Sequence, residues 1–302
     1  RLTPGIGKLE EKNLRTEPNY NEHEECMNYQ SPAWQAALQR PRERKWELPY
    51  GADEPLMPWI APPLPENLKK LFLSIGAEYE AQPGQLIYRV NNDLNSMTLI
   101  THGIAGRSFG NPYNQSKYAM AIAIPGRIAG GNHTFFSRRP GNGSYFAVSP
   151  VRCRKLRNDT LKALMKEDKD FHEQMCVHLE CLIQSDRIGL AANMSLPVRD
   201  RIFLFFLTWS FAYGRLIEIN GTEYVECDVC INQTEVAKVV AASIIQVRRE
   251  IGLLKESNFY HKENDTIRFR SDALDPAWLW LCGNEEGGNL YQRNKDWRSY
   301  LT

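Results

Sequence analysis

The chain is 302 residues long, 42% hydrophobic and 24% charged, a composition that suits two modest globular domains with extensions. Its 37 Lys and Arg stand against 36 Asp and Glu, for a formal charge of +1. That balance excludes an overall positive field, so any nucleic-acid site has to be built from local charge.

Residues 1–62 form an N-terminal extension, polar and proline-punctuated, that still carries Trp34, Trp46, Leu48 and Trp59. A wholly disordered tail rarely holds so many large apolar groups, so an arm packed on the body or on a partner subunit is expected. Its start, Arg1 to Glu10, has no apolar run, and no signal peptide is expected there. PENLKKLFL, Pro65 to Leu73, opens with proline and glutamate as a helix N-terminus does. From Glu78 to Leu156 short alternating runs (QLIYRV, SMTLITH, YAMAIAI, SYFAV, VRCRKL) are parted by Gly and Pro turns. That texture predicts a small antiparallel roll or barrel over residues 63–158.

Helical texture returns at Asn158, where NDTLKALMKED reads as a cap and a short helix. Lys169 to Asn193 then forms one long amphipathic helix, with Phe171, Met175, Leu179, Leu182, Ile183 and Leu190 at three-, four- and seven-residue spacings. A long helix between two compact domains has little core of its own to cover. Residues 159–196 are therefore expected to pair with their copy in a second subunit. After Pro197 comes an apolar helix; its run Ile202 to Tyr213 is shorter than the about 20 residues a bilayer crossing needs. It reads as a buried helix, and no membrane partner is expected. RLIEI and EYVECDVCI, joined by Asn220-Gly221, make a hairpin.

The segment Ile231 to Arg270 decides the architecture. Asn232 caps a helix from Gln233 to about Val239, with Glu235 placed three residues on as in a capping box. Ala241-Ala242 makes a tight turn, and Ser243 caps a second helix that runs to about Ser257 with Val247, Ile251 and Leu254 inward. YHKENDTIRFR follows as a hairpin with Asn264-Asp265 at its tip. Helix, turn, helix and β-wing together make a winged helix-turn-helix, here over residues 197–271. The C-terminal extension, residues 272–302, carries Trp278, Trp280, Trp297 and Tyr300. It can cover an apolar patch, meet a partner subunit or touch RNA polymerase, and the sequence leaves these open. The fold class expected is α+β.

On these residues the chain resembles the Crp/Fnr family of bacterial regulators, over roughly Leu64 to Arg270. VRDRIFLFFL is similar to the family's first DNA-domain helix. INQTEVAKVVAASIIQVRREIGLLKESN is similar to its helix-turn-helix, with Glu235, Ser243, Val247 and Arg249 on matching positions. The roll, a jelly roll of the cyclic-nucleotide-binding type, is matched by element order and by Gly84, Gly103, Gly126 and Gly130. The resemblance implies a cytoplasmic, non-enzymatic homodimer that binds palindromic double-stranded DNA, meets RNA polymerase and answers to a small-molecule effector in the roll. It implies DNA contacts at Gln233, Thr234, Ser243, Ile244, Ile245, Gln246, Arg248, Arg249, His261 and Lys262. It implies an effector pocket at Gly130, Gly131, His133, Ser144 and Tyr145.

The chain departs from the family pattern in telling places. Cyclic-nucleotide-binding members hold the ribose with a Glu and the cyclic phosphate with an Arg; the matching positions here are Gly131 and Gly143. Without that charge-assisted bond, cyclic-nucleotide affinity is expected to be poor, and Arg138 and Arg139 sit on what should be an exposed turn. Iron–sulfur members carry clustered N-terminal cysteines, about four thiolates per cluster, whereas Cys26 stands alone, so no cluster is expected. His172 and Cys176, at i and i+4, suit either a metal or simple packing.

The seven cysteines (Cys26, Cys153, Cys176, Cys181, Cys227, Cys230, Cys282) are scattered and odd in number, which suits a reducing cytoplasm. Cys227 and Cys230 fall in an alternating strand, facing opposite sides with Cα atoms about 10 Å apart, so neither a disulfide nor thiol catalysis is expected. In the second helix the family often places Arg and Glu directly after the capping Ser; here Ile244 and Ile245 stand there. They can pack on thymine methyls, or both can face the core and leave Gln246 and Arg249 to read bases. Asn232 to Arg270 holds seven Lys or Arg against five acids. A sensor or scaffold that keeps the fold without binding DNA is the competing reading.

Overall fold

The structure, a computed structural model, describes residues 56–88, 95–108, 119–131, 135–136, 143–283 and 296–301. Cys26, Trp34, Trp46, Leu48, His133, Arg138 and Arg139 lie outside the described residues. Helix α1 (Glu66–Ile75) follows Pro65 and buries Leu68 and Phe72, one turn apart on one face. Seven strands follow: β1 (Ala77–Ala81), β2 (Leu86–Tyr88), β3 (Ser96–His102), β4 (Ala105–Ser108), β5 (Ala119–Ala123), β6 (Ser144–Ala147) and β7 (Val151–Arg157). They form two antiparallel sheets, ordered β1–β7–β3 and β2–β6–β4–β5. Strands β1 and β4 carry no apolar alternation: AEYEA is exposed at all but its last residue, and AGRS buries two small residues and an arginine.

Helix α2 (Asn158–Glu167) leads into the long α3 (Lys169–Ser195). Asp168 caps α3 by accepting from the Phe171 N–H at 3.0 Å, and Pro197 ends it by holding Leu196 extended. The expected apolar stripe divides between two faces. Met175 and Leu182 are buried and Phe171 and Leu179 pack half-buried, but Ile183 and Leu190 stand 53% and 46% exposed.

The inward face of α3 carries Ser185, Gly189 and Ala192, small enough for a strap of chain, Leu56 to Leu64, to lie across it. The Ser185 hydroxyl donates to the carbonyls of Met57 (2.6 Å) and Ile60 (3.2 Å). Trp59, with φ of 62°, covers Gly189, where a Cβ would come within 2.8 Å of the indole. The strap also bonds to β5, through Ile122 N–H to the Trp59 carbonyl (2.6 Å) and Ala61 N–H to the Ile122 carbonyl (3.1 Å). This described end of the N-terminal extension packs on its own body.

Helix α4 (Val198–Tyr213) is buried at every residue from Leu204 to Phe211, as a helix at the centre of a domain must be. Around it stand β8 (Gly214–Ile219), β9 (Thr222–Cys227), α5 (Gln233–Val239), α6 (Ile244–Glu256), β10 (Tyr260–Glu263) and β11 (Thr266–Arg270), with sheet order β10–β11–β9–β8. Asn220 and Gly221 both take positive φ (52° and 76°), the turn that Asn-Gly favours. Strand β9 ends at Cys227 instead of running on to Ile231. The chain bends at Asp228, whose carboxylate meets Arg215 at 3.2 Å, and Cys227 and Cys230 both enter the same core as thiols, with no disulfide between them. The opposite-face argument therefore fails for this pair.

The C-terminal extension continues the fold. A 3-10 turn (Ser271–Leu274), helix α7 (Asp275–Gly283) and a second 3-10 turn (Trp297–Tyr300) close over α4, with Trp278 and Tyr300 against Phe211. Arg298 fastens them to Glu223 (2.8 Å), Asp275 (2.8 Å) and Asp296 (3.0 Å). One hydrophobic cluster runs from Ile104, Ile122 and Val148 of the roll through Trp59 and Ile188 into α4, α5 and α6. Among the described residues no helix is long and apolar enough to cross a membrane.

Candidate nucleic-acid interface and roll interior

Local chemistry sets the two helices of the helix-turn-helix. Asn232 Oδ1 accepts from the Glu235 N–H at 2.7 Å, capping α5. Glu235 does not complete a capping box; its carboxylate turns to Lys238, 2.6 Å away. The reciprocal box forms at α6 instead. Ser243 Oγ accepts from the Gln246 N–H (3.2 Å), while Gln246 Oε1 accepts from the Ser243 N–H (3.1 Å) and hydroxyl (2.9 Å). Between the helices Ala241 holds φ of 49°, the left-handed turn that aims α6 away from α5.

The two isoleucines at the start of α6 separate. Ile244 packs half-buried against the core, and Ile245 is 76% exposed. Ser243, Gln246, Arg248 and Arg249 are exposed with it, so the structure brings Ile245, Gln246, Arg248 and Arg249 onto the outer side of one helix. Arg249 donates from Nε (3.2 Å) and Nη2 (2.7 Å) to the buried Glu250 carboxylate. Gln233 and Thr234 are half-buried at the start of α5, and His261 and Lys262 are half-buried on β10, with His261 edge-on to Tyr224.

Several of the bases counted between Asn232 and Arg270 engage carboxylates of the chain itself, among them Lys238 with Glu235, Arg249 with Glu250, Arg268 with Glu226 and Glu263, and Arg270 with Asp272. Glu226 is the centre of one such set. Burial works against its charge, but hydrogen bonds from Arg268 (2.6 Å) and Arg215 hold its carboxyl below the usual range. The sequence held no sign of this cluster, because its members come from three strands.

In the roll, two of the expected pocket residues, Gly130 and Tyr145, meet at Tyr88. Tyr145 stands edge-on to Tyr88, with ring centroids 6.5 Å apart, and Gly130 lies so close beneath Tyr88 that a Cβ would fall 2.4 Å from its ring. Gly131, φ of 88°, has the Ser96 carbonyl oxygen 2.1 Å from the place of a Cβ. Gly143, φ of 120°, has that of Ser108 at 2.9 Å. Neither position accepts a long charged side chain. Ser144 is half-buried on β6, opposite Ser108 of β4.

A buried cation stands elsewhere in the roll. Arg107 of β4 is 2% exposed, pairs in register with Tyr145, and meets Asp186 of α3 at 2.6 Å. Burial opposes its charge, and Tyr145 and Asp186 more than offset that, so its affinity for the proton rises. Burial pushes the Tyr145 hydroxyl above its ordinary range. Sequence reading missed Arg107 and Asp186, since neither interrupts an apolar pattern.

A small cavity of about 30 Å³ lies between strap, roll and helices, bordered by Met57, Ile60, Arg127, Ser185 and Thr208, enough for a water or two. Nearby, burial pushes His178 of α3 down to about 3, so it stays neutral against the Pro63 backbone. Burial raises the Cys153 and Cys181 thiols to about 11, which keeps both unreactive.

No family model and no curated protein matches the chain by sequence. Solved structures match by shape. A CooA mutant from Carboxydothermus hydrogenoformans gives a TM-score of 0.56 at 13% identity, covering 72% of this chain and 95% of its own. FixK2 from Bradyrhizobium japonicum gives 0.55 at 12% identity, covering 67% and 97%. A CRP-family transcriptional regulator from Thermus thermophilus gives 0.51 at 12% identity, covering 66% and 95%. At these identities the likeness establishes the fold: the chain has the α+β fold of the Crp/Fnr-type transcription regulators.

Proposed function

We propose that the chain is a sequence-specific DNA-binding transcription regulator of the Crp/Fnr type, acting as a homodimer on a palindromic site. The outer side of α6, where Ile245, Gln246, Arg248 and Arg249 stand exposed behind a capped N-terminus, carries this reading. Residues 197–271 serve as the DNA-binding domain, 159–196 as the dimerisation region and 63–158 as the sensor. The dimer is supported by α3, which leaves Cys176, Glu180, Ile183, Arg187, Leu190 and Met194 exposed at alternating spacings of four and three, the pattern of a two-stranded seam. An effector in the roll would act through Arg107 and Asp186, which tie its interior to that helix. RNA polymerase completes the set of partners, in a reducing cytoplasm that suits cysteines held as thiols.

A sensor that has lost DNA binding is the second reading, favoured by bases already engaged with carboxylates, such as Lys238, Arg249, Arg268 and Arg270. Fluorescence anisotropy on a selected palindrome and on scrambled DNA, over a range of salt, separates the two. Arg248→Ala should weaken both DNAs alike and lower the salt slope by about one per subunit. Arg249→Ala should cost about 1–3 kcal/mol on the palindrome only and relax one symmetric base pair. A wild-type chain that binds neither DNA at low salt leaves the second reading standing.

A further inference from the structure

We propose that Ile245 reads the 5-methyl group of a thymine and so fixes one thymine in each half-site of the DNA. The inference rests on the reading that α6 enters the major groove. A single exposed isoleucine is ordinary on a protein surface; its surroundings make this one informative.

Ile245 is 76% exposed on the first turn of α6. Its neighbour Ile244 is anchored in the core, which fixes the direction of that turn. Beside it, Gln246 Oε1 accepts two hydrogen bonds from Ser243, and Arg249 donates to Glu250 through Nε and Nη2. An apolar side chain thus stands exposed at the helix start, and its branched Cβ leaves it few rotamers to lose on binding. Of the groups a base pair presents in the major groove, the thymine methyl is the apolar one. A cytosine in its place would set an amino donor against a side chain that accepts no hydrogen bond.

The test begins by selecting bound sequences from a random library with the full chain, which defines the half-site. Each thymine is then replaced singly by deoxyuridine, which pairs as thymine does and lacks only the methyl. One thymine per half-site should lose affinity about fourfold, the worth of one buried methyl group. In Ile245→Ala, a surface change that leaves core and capping box intact, that same replacement should have no effect. Salt-dependent binding of the variant to scrambled DNA should match the wild type. A scan with no responsive thymine, or one equally responsive in Ile245→Ala, overturns the assignment while DNA binding itself stands. A wild-type chain that binds no DNA overturns the reading of α6, and this inference with it.

Discussion

By the family resemblance, Gly131 and Gly143 match the positions of a cyclic-nucleotide site's carboxylate and guanidinium, and both are closed to side chains by positive φ and by a carbonyl oxygen within 3 Å of the Cβ position. Calorimetry with cyclic AMP or cyclic GMP should therefore show no binding tighter than about millimolar. A micromolar dissociation constant for either would defeat this account of the roll. The sequence reveals the two missing charges but not Arg107, because a buried arginine is legible only when its counter-charge is known to be near. Asp186 sits 79 residues away, on a helix whose inward face is recognisable only from the strap that lies on it. The isoleucine pair teaches the same lesson from the other side. Residue type leaves Ile244 and Ile245 equivalent, and the rotation of about 100° between successive helix positions sends one to the core and the other to solvent.

Among elements, α3 shows where periodicity is sufficient and where it is not. Spacing gives the helix and its length, since Asp168 and Pro197 mark its ends. It does not assign faces: Leu182 and Ile183 belong to one stripe on paper, yet the first is 4% exposed and the second 53%. A test of the proposed dimer therefore belongs on the outer set. Leu190→Asp should dissociate the dimer at micromolar concentration, by light scattering, with the monomer still folded; Leu182→Asp should lower stability by about 3 kcal/mol or more. Parallel pairing would also set Cys176 opposite its copy, so mild oxidation should give a covalent dimer that Cys176→Ser abolishes. A wild-type monomer at that concentration would remove α3 as a dimer seam. The helix-turn-helix is the most legible element because its signals are local: Asn232, Ser243 and Gln246 act within three residues. β9 is misjudged because its bend answers to Arg215 on the neighbouring strand.

For the molecule as a whole, the decisive contacts join distant parts of the chain. His178 has its pKa lowered from 6.5 to about 3 by burial between helix and strap, and His102 is lowered in the same direction. His178 stays neutral in the folded state and takes a proton when unfolded below about pH 6.5, and the shift of His102 acts in the same sense. Their contribution to stability is complete above that pH and is lost as pH falls toward the folded value, by at most about 1.4 kcal/mol per unit for His178. Paired carboxylates such as Glu226 and Asp272 act the same way only in more acid solution, below about pH 4.5. Urea unfolding between pH 7.5 and 5.5 should show this loss, and His178→Gln should flatten it. A wild-type stability that is level or rises toward pH 5.5 would refute the neutral buried histidine. The strap gives that measurement a further meaning. Trp59 touches the roll at Ile122, the long helix at Gly189 and α4 at Phe205, whose ring lies 6.4 Å from its own. Two domains that share one side chain in a common core have no boundary along which one can melt while the other persists. Roll and winged helix-turn-helix are thus a single cooperative unit, and heat or denaturant should take both apart in one transition.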